Sequence, residues 1–524
     1  MSKIAFTAAI IACLIGYSER SMSQAPPWIG ADTLQFPPSF GAATLDTGIS
    51  YIYGYYNADM TLSGTILHAD TGGSINCYVA QCDSKGHPVW ARKIGGSRYY
   101  GGSGSFIAPD NILTDENENV YVIGMYIDTA EFIDTVLTSG GYTSIFMVKF
   151  DKNGNKLWTR TAFQGQSYMT SGGNIHSVSR GGHIIISDNY DDLLAEFDEA
   201  GNLIWSKSLS QSGGCSCLSV DNDLNVYFGG YSQPLLIAKL NDTGKLLWTF
   251  TSGSDPYFPI TTIIPDSHGN VYVSADLFYA VMLGDSLLQS QDGESTLLIK
   301  LDPNGKFLWA HQSRDSIGGP CLLTTDDNDN IYEAYQTLGA YDRAGNHFIA
   351  FDQDTLREFF DNHVSYLVKY NPAGVMQWLV RTDTGGYWIP TSLSVSNSGI
   401  LSLQGGYRGQ PSFGSTKLGT NGQSTGYFIT TMQVNSTNAV NTLEPMSSEV
   451  LVFPNPSPQT FHVQNISDAS HVSILNVLGQ SVMEIVPKET ENIPIDLSAQ
   501  QAGIYFLRIL SSTGVIQSVK LVKE

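Results

Sequence analysis

Short apolar stretches recur through the middle of the chain, most of them alternating polar with apolar positions and each closed by a turn phrase. A period of two over such stretches predicts half-buried β-strands, and no long stretch carries the 3.6-residue period of an amphipathic helix. One phrase keeps returning: an apolar run, often holding a Lys, then Asp or Asn, two residues, Gly, and a Trp four residues later. It reads Asp83…Gly86…Trp90, Asp151…Gly154…Trp158, Asp198…Gly201…Trp205, Asn241…Gly244…Trp248, Asp302…Gly305…Trp309 and Asn371…Gly374…Trp378. Asp/Asn-x-x-Gly between strands is hairpin chemistry, because Gly accepts a positive φ and the Asp or Asn side chain caps its own turn. The Trp then opens the returning strand. A second phrase lies between the Trp residues: Asp, a turn, then an Asn-Val-Tyr-Val-like strand, as at Asp115…Tyr121, Asp221…Tyr227, Asp266…Tyr272 and Asp326…Tyr332. Gly181-Gly182 with Ile184–Ile186, and Ser396…Gly399, are degenerate copies, and Asp46…Tyr51 is the first. The count comes to seven units, each of four short strands.

Repeated four-strand units with no helical pattern predict a β-propeller. One Trp per repeat is a packing residue between neighbouring blades. The tryptophan docking of quinoprotein dehydrogenases has the same pattern, but no calcium ligands or cofactor cluster accompany it here. The seventh unit ends near Tyr427–Val434 without a Trp strand of its own, leaving an open sheet edge of the kind propellers avoid. Pro27-Trp28 precedes the first unit, so the segment near Trp28 is expected to supply the missing strand. Together the two phrases resemble the SBBP-type β-propeller repeat, a family of extracellular bacterial repeats, over about residues 40–434. That resemblance implies a fold and an extracellular compartment rather than a reaction.

After Val434 the composition changes to a polar linker, residues 435–446, and a strand-rich module fills 447–524. Its phrases are Pro454-Asn455-Pro456, the Asn476…Gly479 turn, Gly503-Ile504-Tyr505-Phe506 and the closing Lys520-Leu-Val-Lys523. The module resembles the type A C-terminal sorting domain of the type IX secretion system of Gram-negative bacteria, with Pro458-Gln459 where a Gly is usual. The resemblance makes Pro454, Asn455, Pro456, Gly479, Gly503 and Tyr505 the sorting residues and the secretion machinery the partner. It implies passage across the outer membrane, removal of the domain, and release or attachment to surface lipopolysaccharide. The whole chain is therefore expected to be all-β: a seven-bladed β-propeller over 24–434, followed by a small Ig-like β-sandwich.

Charge narrows the remaining choices. With 49 acidic against 27 basic residues the formal charge is −22. This disfavours nucleic acid and anionic membrane surfaces, both of which need clustered Lys and Arg. Residues 1–23 read as a secretory signal peptide: Lys3, an apolar run from Ile4 to Tyr17, and Ser21 and Ser23 before a cut at Gln24. No other stretch is long and apolar enough for a transmembrane helix. Cys77 and Cys82 leave a disulfide open, while Cys215 and Cys217, two apart on a strand, are expected on one face as small buried hydrophobes. No His-x-x-x-His pair is present. Asp221-x-Asp223-x-Asn225 and Asp327-x-Asp329 lack the Gly and Glu that complete a calcium loop, so they read as turns. No metal and no cofactor is expected.

In a propeller the turns between strands one and two and between three and four share one end, and here these are the uniform Asp/Asn turns. The opposite end varies. Its four-to-one connections carry Tyr99, Tyr100, Tyr168, Tyr257, Phe258, Tyr387 and Trp388, which suits either a ligand-stacking surface or a hydrophobic plug of the mouth. The two-to-three connections shrink to Asp188–Asp192 and Tyr231–Pro234 in units three and four, so a notch in the rim is expected there. The reading is a secreted or surface-attached, non-catalytic module binding extracellular polysaccharide or protein. Its rival is a propeller-type glycan lyase or hydrolase working inside the mouth.

Overall fold

The computed structural model describes most of residues 25–434 and 451–524. Residues 1–24 and 435–450 lie outside the described residues, as do several connections, among them 97–105, 166–174, 253–259 and 477–480. The expected signal peptide, the linker, Tyr99, Tyr100, Tyr168, Tyr257, Phe258 and Gly479 thus fall outside them. The chain divides into two compact units, Met1–Asn435 and Ser436–Glu524. No helix occurs among the described residues.

In the larger unit the strands come in antiparallel sets of four. The second repeat unit is representative, with Phe106–Thr114, Val120–Phe132, Thr135–Phe150 and Lys156–Phe163 hydrogen-bonded in that order. Its turns form as the sequence predicts: Gly154 takes φ +77° and its N–H donates to the carbonyl of Asp151. The first strands of successive units adjoin one another, from Ser39–Thr44 through to Gly386–Val395, and that last one lies beside Ser39–Thr44 again. Strands wound radially around a closed inner ring make a β-propeller.

Closure uses the N-terminal segment. Trp28–Leu34 pairs antiparallel with Thr425–Gln433, Trp28 opposite Met432 and Leu34 opposite Tyr427, and so completes the sheet of Ile400–Gly409 and Gly386–Val395. The Trp28 ring meets Phe413 edge-on, with centroids 5.1 Å apart.

Neighbouring units are joined by their Trp residues. Trp90 donates from Nε1 to the carbonyl of Lys152, at 3.0 Å, inside the turn of the next unit. Trp205 does the same to Asp242 and Trp248 to Pro303. The turn glycine is what lets the indole in: a Cβ built on Gly154 would sit 2.8 Å from the Trp90 ring, and one on Gly305 would sit 2.6 Å from Trp248. Glycine is thus required twice at these turns, for its φ and for the close approach.

The disulfide left open between Cys77 and Cys82 is not formed, and one expectation about cysteine needs correction. Cys77 and Cys82 are free and buried on opposite faces of one strand, so the backbone between them holds the thiols apart. Cys215 precedes the strand Cys217–Val220 and enters a different apolar cluster from Cys217, so the two do not share a face.

The smaller unit is two sheets around one core. Leu451–Phe453, Thr460–Gln464 and Asn492–Asp496 form the first; Ser481–Ile485, Ala469–Asn476, Gly503–Ser511 and Ile516–Lys523 form the second. Phe461, Val463 and Ile495 from one meet Ile474, Leu507 and Ile509 from the other, the arrangement of a β-sandwich.

Candidate functional site

The uniform end of the propeller is built from a five-residue constellation that recurs from unit to unit. Asp115 accepts through Oδ1 from the backbone N–H of Asn117 and Asn119, and through Oδ2 from Asn119 Nδ2 and the Tyr121 hydroxyl. Lys149 on the third strand brings Nζ to 3.4 Å from that carboxylate and 4.8 Å above the Tyr121 ring. The same ring then meets Trp158 at 6.0 Å. Asp221, Asn225, Tyr227, Lys239 and Trp248 repeat this set. So do Asp266, Asn270, Tyr272, Lys300 and Trp309. Asp326, Asn330, Tyr332, Lys369 and Trp378 make a further copy.

The electrostatics are internal. Burial opposes the charge on Asp115, yet the bonds from Asn119 and Tyr121 and the nearby Lys149 win and hold its carboxyl below the ordinary range. Burial pushes the Lys369 ammonium down against the pull of Asp326. Unit three substitutes a different set with the same function. Glu196 stands in the Lys position, 2.5 Å from His183 Nδ1, and accepts from Trp205 Nε1 at 2.6 Å. The Lys two residues before four of the six turns was visible in the sequence, but its partner was not.

Asp266, His268 and Asp329 bring ligand-type atoms within 4.8 Å of one another where the turns of units five and six meet. Each is already engaged. Asp329 accepts from Ser267 N–H, Ser267 Oγ and His268 Nδ1, the last at 2.7 Å, and Asp266 accepts from the N–H groups of His268 and Asn270. The arrangement is a latch between two turns.

Two groups closer to the axis break the repeat pattern. Asp110 is the extra residue of a bulge in the innermost strand of unit two. Its carboxyl accepts from the N–H of Ile175 in unit three, and burial pushes its pKa up to about 6. On the other side Tyr53 and Tyr55 donate to the carbonyls of Asp110 and Pro109. Next to Ile175, burial pulls His176 down to about 4, and its Nε2 has no hydrogen-bond partner among the described residues. Glu333, 3% exposed, occupies the place that Val122, Phe228 and Val273 fill elsewhere; it accepts from Cys321 Sγ and the Tyr370 hydroxyl. Asn330-Ile-Tyr-Glu333 departs from the Asn-Val-Tyr-apolar phrase, and that departure was the available signal.

Of the aromatic candidates, Tyr387 and Trp388 lie among the described residues. Neither is on a loop: both belong to the strand Gly386–Val395. Trp388 is 2% exposed and packs against Phe413 and Phe428, so it is a core residue and not a ligand contact. In a propeller whose connection is this short, the aromatic next to it falls into the sheet.

In the C-terminal unit Asn455 grips the last strand, donating from Nδ2 to the carbonyl of Lys520 and accepting from the N–H of Val522. Lys523 Nζ donates to the carbonyl of Gln500, and the Tyr505 hydroxyl to that of Gln501. The family described as Secretion system C-terminal sorting domain matches residues 451–524. The C-terminal unit is a type IX sorting domain. A chain with this sorting domain is secreted or attached at the outer surface, and no described helix is long and apolar enough to cross a membrane.

Ahead of the sorting domain, the family described as Outer membrane protein assembly factor BamB matches residues 145–262, from the second repeat unit into the fifth. No curated protein matches the chain. Among solved structures, the chain is similar to a protein of unknown function from Bacteroides caccae, at 14% identity and TM-score 0.31, over 49% of this chain and 78% of that one. It is also similar to the Dos1 propeller, at 10% identity and TM-score 0.42, over 79% and 96%. A third likeness, to Chaetomium thermophilum Raptor, has 8% identity and TM-score 0.40 over 79% of this chain and 29% of that one.

Proposed function

We propose that the exported protein is a seven-bladed propeller of SBBP-type repeats that binds extracellular polysaccharide or protein without chemistry, through the end bearing the variable connections. An N-terminal signal peptide over residues 1–23 and an Ig-like sorting sandwich, removed after passage, complete the reading. The observation that carries it is the state of the opposite end. There, in four units, the Asp, Asn, Tyr, Lys and Trp side chains hold one another through nearly the same bonds. An end saturated by its own bonds holds the ring together and offers little to discriminate a ligand. Discrimination is then left to the variable end, where Tyr99, Tyr100, Tyr168, Tyr257 and Phe258 supply stacking surfaces; Trp388 is excluded by its burial. Screening residues 24–434 on a glycan array is expected to give discrete hits that Tyr257→Ala with Phe258→Ala removes at unchanged melting temperature. Early unfolding of that variant with binding intact would make these residues a plug instead.

The enzymatic reading draws on Asp110 and His176, a carboxyl held near neutrality and a neutral imidazole on adjoining innermost strands. Loss of turnover on a polysaccharide in Asp110→Asn, with binding kept, would favour it.

A further inference from the structure

Units one, two, five, six and seven insert a hairpin between their second and third strands, and these hairpins lie on the outer wall. Glu131 and Phe132 of unit two pair with Gly96 and Gly95 on the outermost strand of unit one. Ala350 and Phe351 of unit six pair in the same way with Arg314 and Ser313 of unit five. Val281, Leu283 and Leu288 of unit five pack with Trp248 and Phe250 of unit four. The hairpins of units two, five and six therefore fill the outer groove between their own unit and the one before.

The hairpin tips cap one particular position, the second residue after the turn glycine. Lys156, its side chain 8% exposed, is met there by Asp134, and Phe307 lies against Gly284. Units three and four show no hairpin among the described residues, and only short segments link Asp188 to Leu193 and Gly229 to Leu236. Their equivalent residues are nevertheless apolar and exposed: Leu203 and Leu246, at 57% and 46%. The missing hairpins leave empty the grooves before units three and four, and the strand Leu203–Ser208, which borders both, is a sheet edge among the described residues. An edge strand with bare aliphatic side chains is a template for pairing, and native proteins normally cover or charge it.

We propose that the outer grooves before units three and four are a docking site for a β-hairpin from a second protein, which occupies there the grooves that this chain fills with its own hairpins elsewhere. The occupant is defined by those internal precedents: aliphatic residues on one face, backbone pairing to the edge, and a tight tip beside the turn. Because Asp198, Glu199 and Asp242 flank that tip position, the tip is basic. The net charge of −22 opposes a second copy of this chain as the occupant. This surface is separate from the variable end, so either can stand without the other.

The test uses the full chain and a backbone-cyclised, fluorescent hairpin with the sequence of residues 279–290 and Asp285→Lys at its tip, read by fluorescence anisotropy. Saturable binding is expected, weakened tenfold or more by Leu203→Lys with Leu246→Lys and unchanged by Leu308→Lys in unit five, whose groove its own hairpin fills. All three positions are exposed, so the variants retain the fold, which their melting curves check. No saturation up to about 1 mM, equal binding by all variants, or a dimer of this chain that the double variant dissolves would each overturn the proposal.

Discussion

If each Trp is held by the turn glycine of the next unit, the two residues must be energetically coupled, and unit one offers the cleanest pair. Trp90→Ala removes a ring that is buried against Tyr51 and the Gly154 turn, along with its bond to Lys152 and the stacked guanidinium of Arg92. Truncating a buried aromatic in this way costs about 3–5 kcal/mol. Gly154→Ala alone meets two penalties. A non-glycine residue at φ +77° costs roughly 1–2 kcal/mol, and a Cβ 2.8 Å from the indole adds overpacking of about 1–3 kcal/mol. Without the indole the second penalty disappears, because the new methyl group enters the space the ring vacated. The double variant is therefore expected to be less damaged than the sum of the singles by about 1–3 kcal/mol. Urea unfolding followed by far-ultraviolet circular dichroism measures this, a probe that does not depend on the deleted Trp. Additivity within about 0.5 kcal/mol would refute the direct contact and leave the Trp as an ordinary core residue.

Asp110 gives a pH-dependent outcome. A carboxyl whose pKa rises on folding favours the protonated folded state, so its stabilisation holds below the unfolded value of about 4 and is lost as the pH climbs through about 6. Asp110→Asn keeps an acceptor for the Ile175 N–H and is expected to raise stability by up to about 2 kcal/mol at pH 8 while changing little at pH 4; equal effects at both values would contradict the burial argument. Asn455→Ala loses two bonds to the last strand and should weaken the sorting domain by about 1–2 kcal/mol, seen as a lower urea midpoint for its transition alone. Deleting residues 447–524 should leave the protein in the periplasm, and its appearance outside the cell at normal yield would count against the sorting assignment.

The elements legible in advance were those fixed by local chemistry. Asp-x-x-Gly and Asn-Val-Tyr phrases specify turn and strand within a few residues, so the four-strand units, the Trp between units and the closing role of Trp28 could all be read. What escaped depends on partners distant in sequence. A Lys like Lys149 stands before four of the six Asp/Asn-x-x-Gly turns, but that it faces Asp115 across two strands appears only once the register is known. Trp388 resembles the loop aromatics in sequence, and only the length of its strand shows that it points into the core. The short connections of units three and four suggest a notch in the rim, whereas the longer connections of the other units form hairpins on the outer wall. A hairpin's direction of travel is set by the groove it packs into, which composition does not encode.

Thr425–Gln433, the last strand before the linker, is not at the border of its sheet: Ile400–Gly409 holds it on one side and Trp28–Leu34 on the other. A peptidase that cuts beyond Asn435 to free the sorting domain would therefore work next to a strand clamped on both flanks, and the new carboxyl terminus would have nothing to unravel. Trimming from the amino end is a different matter. Losing the few residues around Trp28 would strip the outermost strand and open the ring at its seam. Trimming should therefore be far more forgiving after Asn435 than around Trp28.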